Sequence, residues 1–182
     1  MFFKTCGIVF LSVSGIVLTI LLIAESVKRV ETNNVAIMYD VVKKDLLSVH
    51  GPGLYNGPPF FKWITFNGVY KQLEQKIKCV TQDGLLVDLD VSFQYIPKYA
   101  FLNSIAKKYK NQGSFEKLLL HASHSAILIA CTSFNITEYQ NNRPQIQLQI
   151  EKNIIQKVQL MNADAIAAQL INVQVPNDWN QA

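Results

Sequence analysis

Leu85-Leu86-Val87-Asp88-Leu89-Asp90-Val91-Ser92-Phe93-Gln94-Tyr95 alternates almost residue by residue between apolar and polar side chains. In an extended chain Leu85, Val87, Leu89, Val91, Phe93 and Tyr95 share one face. Leu86, Asp88, Asp90, Ser92 and Gln94 share the other. A period of two with one apolar face specifies an antiparallel strand that covers a core on one side only. Just before it, Gln82-Asp83-Gly84 reads as a hairpin turn in which glycine supplies the positive φ. Upstream of the turn, Val69 to Leu73 and Ile77 to Thr81 read as strands.

Still further upstream, Val35 to Tyr39 reads as a strand, and Val41 to Val49 can pair back onto it. His50-Gly51-Pro52-Gly53-Leu54-Tyr55-Asn56-Gly57-Pro58-Pro59 follows. So many glycines and prolines exclude both a helix and a central strand, and predict a turn-rich crossing loop. The aromatic cluster Phe60, Phe61, Trp63 and Phe66 comes next. Near a membrane such rings dip into the interface; packing beneath a loop accounts for them equally well.

The period changes after Pro97. Lys98 to Tyr109 is helix-like, with Tyr99, Leu102, Ile105 and Ala106 as its stripe. Gly113-Ser114 separates it from a second helix, with Ser114 as N-cap and Phe115, Leu118, Leu119, Ala122, Ala126, Ile129 and Ala130 at helical spacing. Thr137 is placed to cap a short turn around Glu138. Pro144 suits a helix start, and Ile146, Ile150, Ile154 and Val158 recur every four residues after it. Ala165 to Val175 reads as a closing strand before Pro176. Strands, then helices, then a strand predict an α+β fold. A β-rich lobe is expected over 30–96 and a helical lobe with a closing strand over 97–182.

Ahead of this domain, Thr5 to Ala24 contains neither charge nor proline. About twenty helical residues cross a hydrocarbon layer of about 30 Å. The run exceeds the apolar part of a cleaved signal and has no polar face, so it is expected to stay as a single transmembrane helix. Residues 1–29 are therefore the membrane anchor and its flank. Lys28 and Arg29 read as interfacial anchors. Lys4 and the amino terminus oppose them, so basic-residue bias only slightly favours a cytosol-like side for the domain.

Composition excludes several function classes. The formal charge of +4 is mild for 182 residues and the lysines are scattered, which does not fit nucleic-acid binding. The three cysteines, Cys6, Cys79 and Cys131, have no metal spacing, and an odd number is not a disulfide framework; three packed thiols are expected. Asp88 and Asp90 share a strand face and His121 and His124 share a helix face. Both pairs read as solvated surface rather than acid–base or metal sites. No phosphate-cradling glycine loop and no nucleophile motif is present. No catalytic residue, cofactor, metal or small-molecule substrate is expected. Asn135-Ile136-Thr137 is a glycosylation acceptor that matters only in a secretory lumen.

A single N-terminal span, a strand ending in Met38-Tyr39, Gly51-Pro52-Gly53-Leu54-Tyr55 with Pro58-Pro59, Val80-Thr81-Gln82-Asp83-Gly84 and the closing Leu170 to Pro176 together resemble the SPFH or Band 7 domain of stomatins, prohibitins, flotillins and erlins. The resemblance covers Glu25 to Ala182. It departs from the family at Asn33-Asn34, where many members carry a Glu-Gly-like turn, and in its doubled proline. Where members continue into a long coiled-coil helix, only Asp178 to Ala182 remain.

The resemblance implies a non-catalytic, membrane-anchored scaffold. Without a coiled coil, an accessory subunit of a large hetero-complex is expected, with the lipid bilayer and other membrane-protein subunits as partners. The mitochondrial inner membrane or a respiratory assembly is the favoured setting, with the endoplasmic reticulum or another membrane as the alternative. A homo-oligomeric prohibitin-, stomatin- or erlin-type scaffold is the competing expectation. A membrane-tethered hydrolase would need a site that the sequence does not offer. Phe60, Phe61, Trp63 and Trp179 are the candidate interface residues.

Overall fold

The computed structural model describes residues 15 and 20–174. Most of the anchor at 5–24, the end of the closing strand and Trp179 lie outside them. Residues 20–26 are helical, with Ile20, Leu21 and Ile23 exposed. Among the described residues no helix is long and apolar enough to cross a membrane.

The chain forms two compact units, residues 1–66 and 67–182. Among the described residues the first carries five short strands: β1 (Val27–Val30), β2 (Asn34–Asp40), β3 (Asp45–His50), β4 (Gly53–Asn56) and β5 (Lys62–Asn67). β1 pairs antiparallel with β4, and the other three form a sheet ordered β3-β2-β5. β3 begins at Asp45 rather than Val41. The buried Asp40 carboxylate accepts from the backbone N–H groups of Val42 and Lys43 at 2.9 and 3.0 Å, and so holds 41–44 as a turn.

The second unit contains β6 (Lys71–Val80), β7 (Leu86–Pro97), α1 (Leu102–Tyr109), α2 (Gln112–Cys131), α3 (Ile136–Asn141), α4 (Arg143–Gln159) and β8 (Ala163–Gln174). A one-turn 3-10 helix, Tyr99–Phe101, precedes α1. The sheet order is β6-β7-β8, antiparallel throughout. The two strands read at 69–73 and 77–81 are one. Leu73, Ile77 and Cys79 are buried on a single face that continues through Gln75, while Gln72, Glu74, Lys76 and Lys78 point away. β6 and β7, assigned on sequence to the 30–96 lobe, thus pair with β8 inside the same unit as the helices.

The alternation of 85–95 is realised in β7. Val87, Leu89, Val91, Phe93 and Tyr95 are each no more than 1% exposed. α2 and α4 pack against one another, α2 also on β6 and α4 also on β8. All of Ile146, Ile150, Ile154 and Val158 are buried, as their four-residue spacing requires. On α2 the buried set is Phe115, Leu119, Ser123, Ala126, Ile127, Ala130 and Cys131. Leu118 and Ile129, expected in the core, are 39% and 53% exposed, as is Tyr99 at 56%.

Two local expectations are corrected by hydrogen bonding. The N-cap of α2 is Asn111, whose side chain accepts from Ser114 N–H at 2.9 Å. The cap of α3 is Asn135, in a capping box with Glu138. β8 contains two bulges opposite β7, and Ala167 in the second has φ +52°. The cysteines also differ from expectation: Cys79 and Cys131 are disulfide-bonded across β6 and α2, with Cα atoms 6.3 Å apart.

Candidate interaction surface

The Gly/Pro loop and the strands around it position the aromatic cluster. Gly57 N–H donates to the Ser26 carbonyl at 2.9 Å, tying the loop to the end of the N-terminal helical segment. A Cβ on Gly57 would lie 2.8 Å from Met38 Sδ and 3.0 Å from Phe61 Cδ1, so any side chain there would have to displace the end of Met38. Phe61 N–H then donates to the Pro58 carbonyl. Lys28 Nζ donates to the Phe61 carbonyl at 2.8 Å and lies 5.1 Å from the Phe61 ring centroid. Lys28, read as an interfacial anchor, is therefore also an internal tie.

This geometry separates the expected interface residues. Phe61 is fully enclosed and meets Trp63 edge-on at 5.1 Å, so it is core rather than contact surface. Trp63 also meets Tyr55 and His50, at 5.9 and 5.6 Å between centroids, and its buried Nε1 has no hydrogen-bond partner among the described residues. Phe60 points the other way. It is 53% exposed and its φ of +66° is a left-handed conformation that costs an aromatic residue energy. Leu54, paired opposite Arg29 in the β1–β4 ribbon, is 70% exposed.

In the second unit Arg143, Pro144, Gln147 and Leu148 of α4 and Leu170 and Ile171 of β8 line an open groove. Leu148 and Ile171 are 64% and 54% exposed. The spacing of α4 gave no signal for this groove, because Leu148 lies off its Ile146–Ile150–Ile154–Val158 stripe. Ile171 is the extra residue of the first β8 bulge, between the partners of Asp90 and Val91.

The charged sites are internally matched. Lys76 Nζ lies 3.9 Å from Asp90 and Lys78 Nζ 3.7 Å from Asp88, each pair directly opposite in the β6–β7 register. His121 and His124 are exposed, and among the described residues no three potential metal ligands cluster.

Glu116 on α2 was not singled out by any motif. Its Oε1 accepts from Lys71 Nζ at 2.7 Å, Tyr95 Oη at 2.7 Å and Gln112 Nε2 at 2.6 Å. Burial pushes its carboxyl up, but the hydrogen bonds from Gln112, Lys71 and Tyr95 and the Lys71 charge outweigh that and hold it below its ordinary value. Burial first, and the Glu116 carboxylate second, push the Tyr95 phenol far above its ordinary value, so it stays a donor. Similarly, Gln75 Nε2 donates to the buried Ser123 hydroxyl at 2.6 Å, which donates to the Leu120 carbonyl. These networks fasten α2 to the sheet.

Comparison with models of protein families matches residues 28–182 to the SPFH domain / Band 7 family. Comparison with curated proteins gives no match.

Proposed function

The chain belongs to the SPFH domain / Band 7 family, and on that premise we propose that it is a non-catalytic, membrane-anchored accessory subunit of a large hetero-complex. The family is membrane-associated and oligomerising, and its membership suggests a scaffold-type role. The finer assignment adds neighbours of a different kind, in the mitochondrial inner membrane or a respiratory assembly. That membrane is the favoured setting because the family has prohibitin-like members there.

The observation that carries an interaction role is the pairing of exposed Leu148 and Ile171 across one groove. Apolar side chains that reach solvent together, flanked by Arg143 and Gln147, have the composition of a protein contact: an apolar centre with a polar rim. Phe60 adds a second point, held outward in a costly backbone conformation. Exposed Ile20, Leu21 and Ile23 support the anchor.

The test is recovery of the assembly from native membranes in mild detergent, followed by identification of everything that co-migrates. A heteromeric particle is expected, and Ile171→Glu should release the chain from it with its circular dichroism unchanged. A ring of this chain alone would establish the homo-oligomeric scaffold instead. A free monomer would refute both.

A further inference from the structure

We infer that the Cys79–Cys131 bridge is formed in the native protein, and that the globular domain therefore lies on the oxidising side of its membrane. Bridgeable cysteines have Cα atoms about 4.4–6.8 Å apart, and the 6.3 Å separation here falls within that range. Both residues are buried, Cys79 at 2% and Cys131 at 0% exposure. Once formed, the bond is shielded from soluble reductants.

The bridge belongs to a larger clamp. It joins the end of β6 to the last residue of α2, across 52 positions of sequence. Beside it, Gln82 N–H donates to the Phe134 carbonyl at 2.9 Å, and Ile136 N–H donates to an Asp83 carboxylate oxygen at 2.9 Å. Tyr139 Oη donates to the Cys131 sulfur and carbonyl at 3.0 and 3.3 Å. The β6–β7 hairpin tip is thus held to the α2–α3 turn by one covalent and several polar links. The hydrogen bonds set the register that brings the two sulfurs together.

Formation removes two thiol protons and two electrons. A thiolate of the pair attacks the disulfide of an exchange partner, a disulfide-carrying oxidoreductase or a small-molecule disulfide, and releases one thiol from it. The second thiolate then displaces the remaining partner sulfur. The Cys79–Cys131 bond has formed, and the partner, reduced to two thiols, has taken up both protons and both electrons. Such partners maintain disulfides outside the cytosol and are opposed by thiol reductants within it. The bond therefore outweighs the slight basic-residue bias toward a cytosol-like side. The inference does not depend on the complex or the membrane proposed above, since the intermembrane space and the secretory lumen both qualify.

The experiment uses full-length protein in intact organelles. Membranes are quenched in acid and dissolved in denaturant with one alkylating reagent, so that burial cannot protect a thiol. They are then reduced and labelled with a second reagent. Cys79 and Cys131 should carry the second label in at least about nine molecules in ten, and the unreduced digest should contain their cross-linked peptide. Protease added to intact organelles should leave the domain undigested until the enclosing membrane is opened. First-label modification of both cysteines, or digestion in intact organelles, overturns the inference. In Cys79→Ser, Cys131 should move to the first label; if it stays protected, its partner is another sulfur and the inference falls.

Discussion

Replacing Glu116 with alanine removes one acceptor from three donors, and the structure apportions the cost. Lys71 is 43% exposed at its side chain and can return to water, so its loss contributes about 0–1 kcal/mol. Gln112 is half-buried and also reaches solvent. Tyr95 cannot: it is 1% exposed and is left with a buried, unpaired hydroxyl, which costs about 1–3 kcal/mol. Glu116→Ala should therefore destabilise the protein by about 2–3 kcal/mol, or roughly 5–10 °C in Tm for a chain of this size. Tyr95→Phe should cost about 1–2 kcal/mol. On that background Glu116→Ala should cost no more than about 1 kcal/mol, because the stranded hydroxyl is gone.

The carboxyl adds a pH signature. Its folded value is depressed below its ordinary 4.5, so its contribution is present above that value and lost as pH falls through the folded one. Glu116→Gln should show a shallower loss of stability on acidification, and its deficit against the parent should shrink below about pH 4. Urea unfolding of the detergent-solubilised full chain, followed by far-ultraviolet circular dichroism from pH 3 to 7, measures each quantity. Additive costs for the two substitutions, or an unchanged acid limb in Glu116→Gln, would refute the network as described.

Three further outcomes are expected. Phe93→Ala, at a fully buried β7 position, should cost about 3–5 kcal/mol in the same unfolding assay, whereas Asp90→Ala should stay within about 0.5 kcal/mol; the reverse order would mean that the β7 register is wrong. Ala167→Gly should stabilise by about 0.5–1 kcal/mol, because φ +52° is costly for alanine and free for glycine; a Tm decrease would refute strain at this bulge. If the domain faces the intermembrane space, Asn135 should be unmodified and peptide N-glycosidase should leave the mass unchanged. A mass loss would exclude the mitochondrial placement and leave the disulfide inference standing. The Asn135 cap uses the amide oxygen, toward Glu138 N–H at 3.0 Å, and so does not itself block a glycan on the nitrogen.

The candidate interface was legible only in part. Composition located the aromatic cluster but could not orient its members: consecutive Phe60 and Phe61 diverge because residue 60 adopts a left-handed backbone, and no pattern in Pro58-Pro59-Phe60-Phe61 announces that turn. The Leu148–Ile171 groove was invisible. It joins a residue off the core stripe of α4 to the extra residue of a β8 bulge, and a bulge inverts the alternation used to tell inside from outside. Glu116 was missed for a related reason: its partners are local at Gln112 but distant at Lys71 and Tyr95.

Whatever depends on local periodicity was legible in the chain. The buried face of β7, the isoleucine stripe of α4, the Asp83-Gly84 hairpin and the α+β order follow from side-chain spacing that each element must bury. The ordered series of loop, hairpin and closing-strand motifs was enough to indicate the family. Which strands share a sheet, which of two adjacent phenylalanines enters the core, and the meeting of Cys79 with Cys131 emerge only when the elements pack. Those outcomes depend on contacts between residues tens of positions apart. Their energies are set by the three-dimensional approach of whole elements, a quantity that a repeat of two or 3.6 residues does not encode.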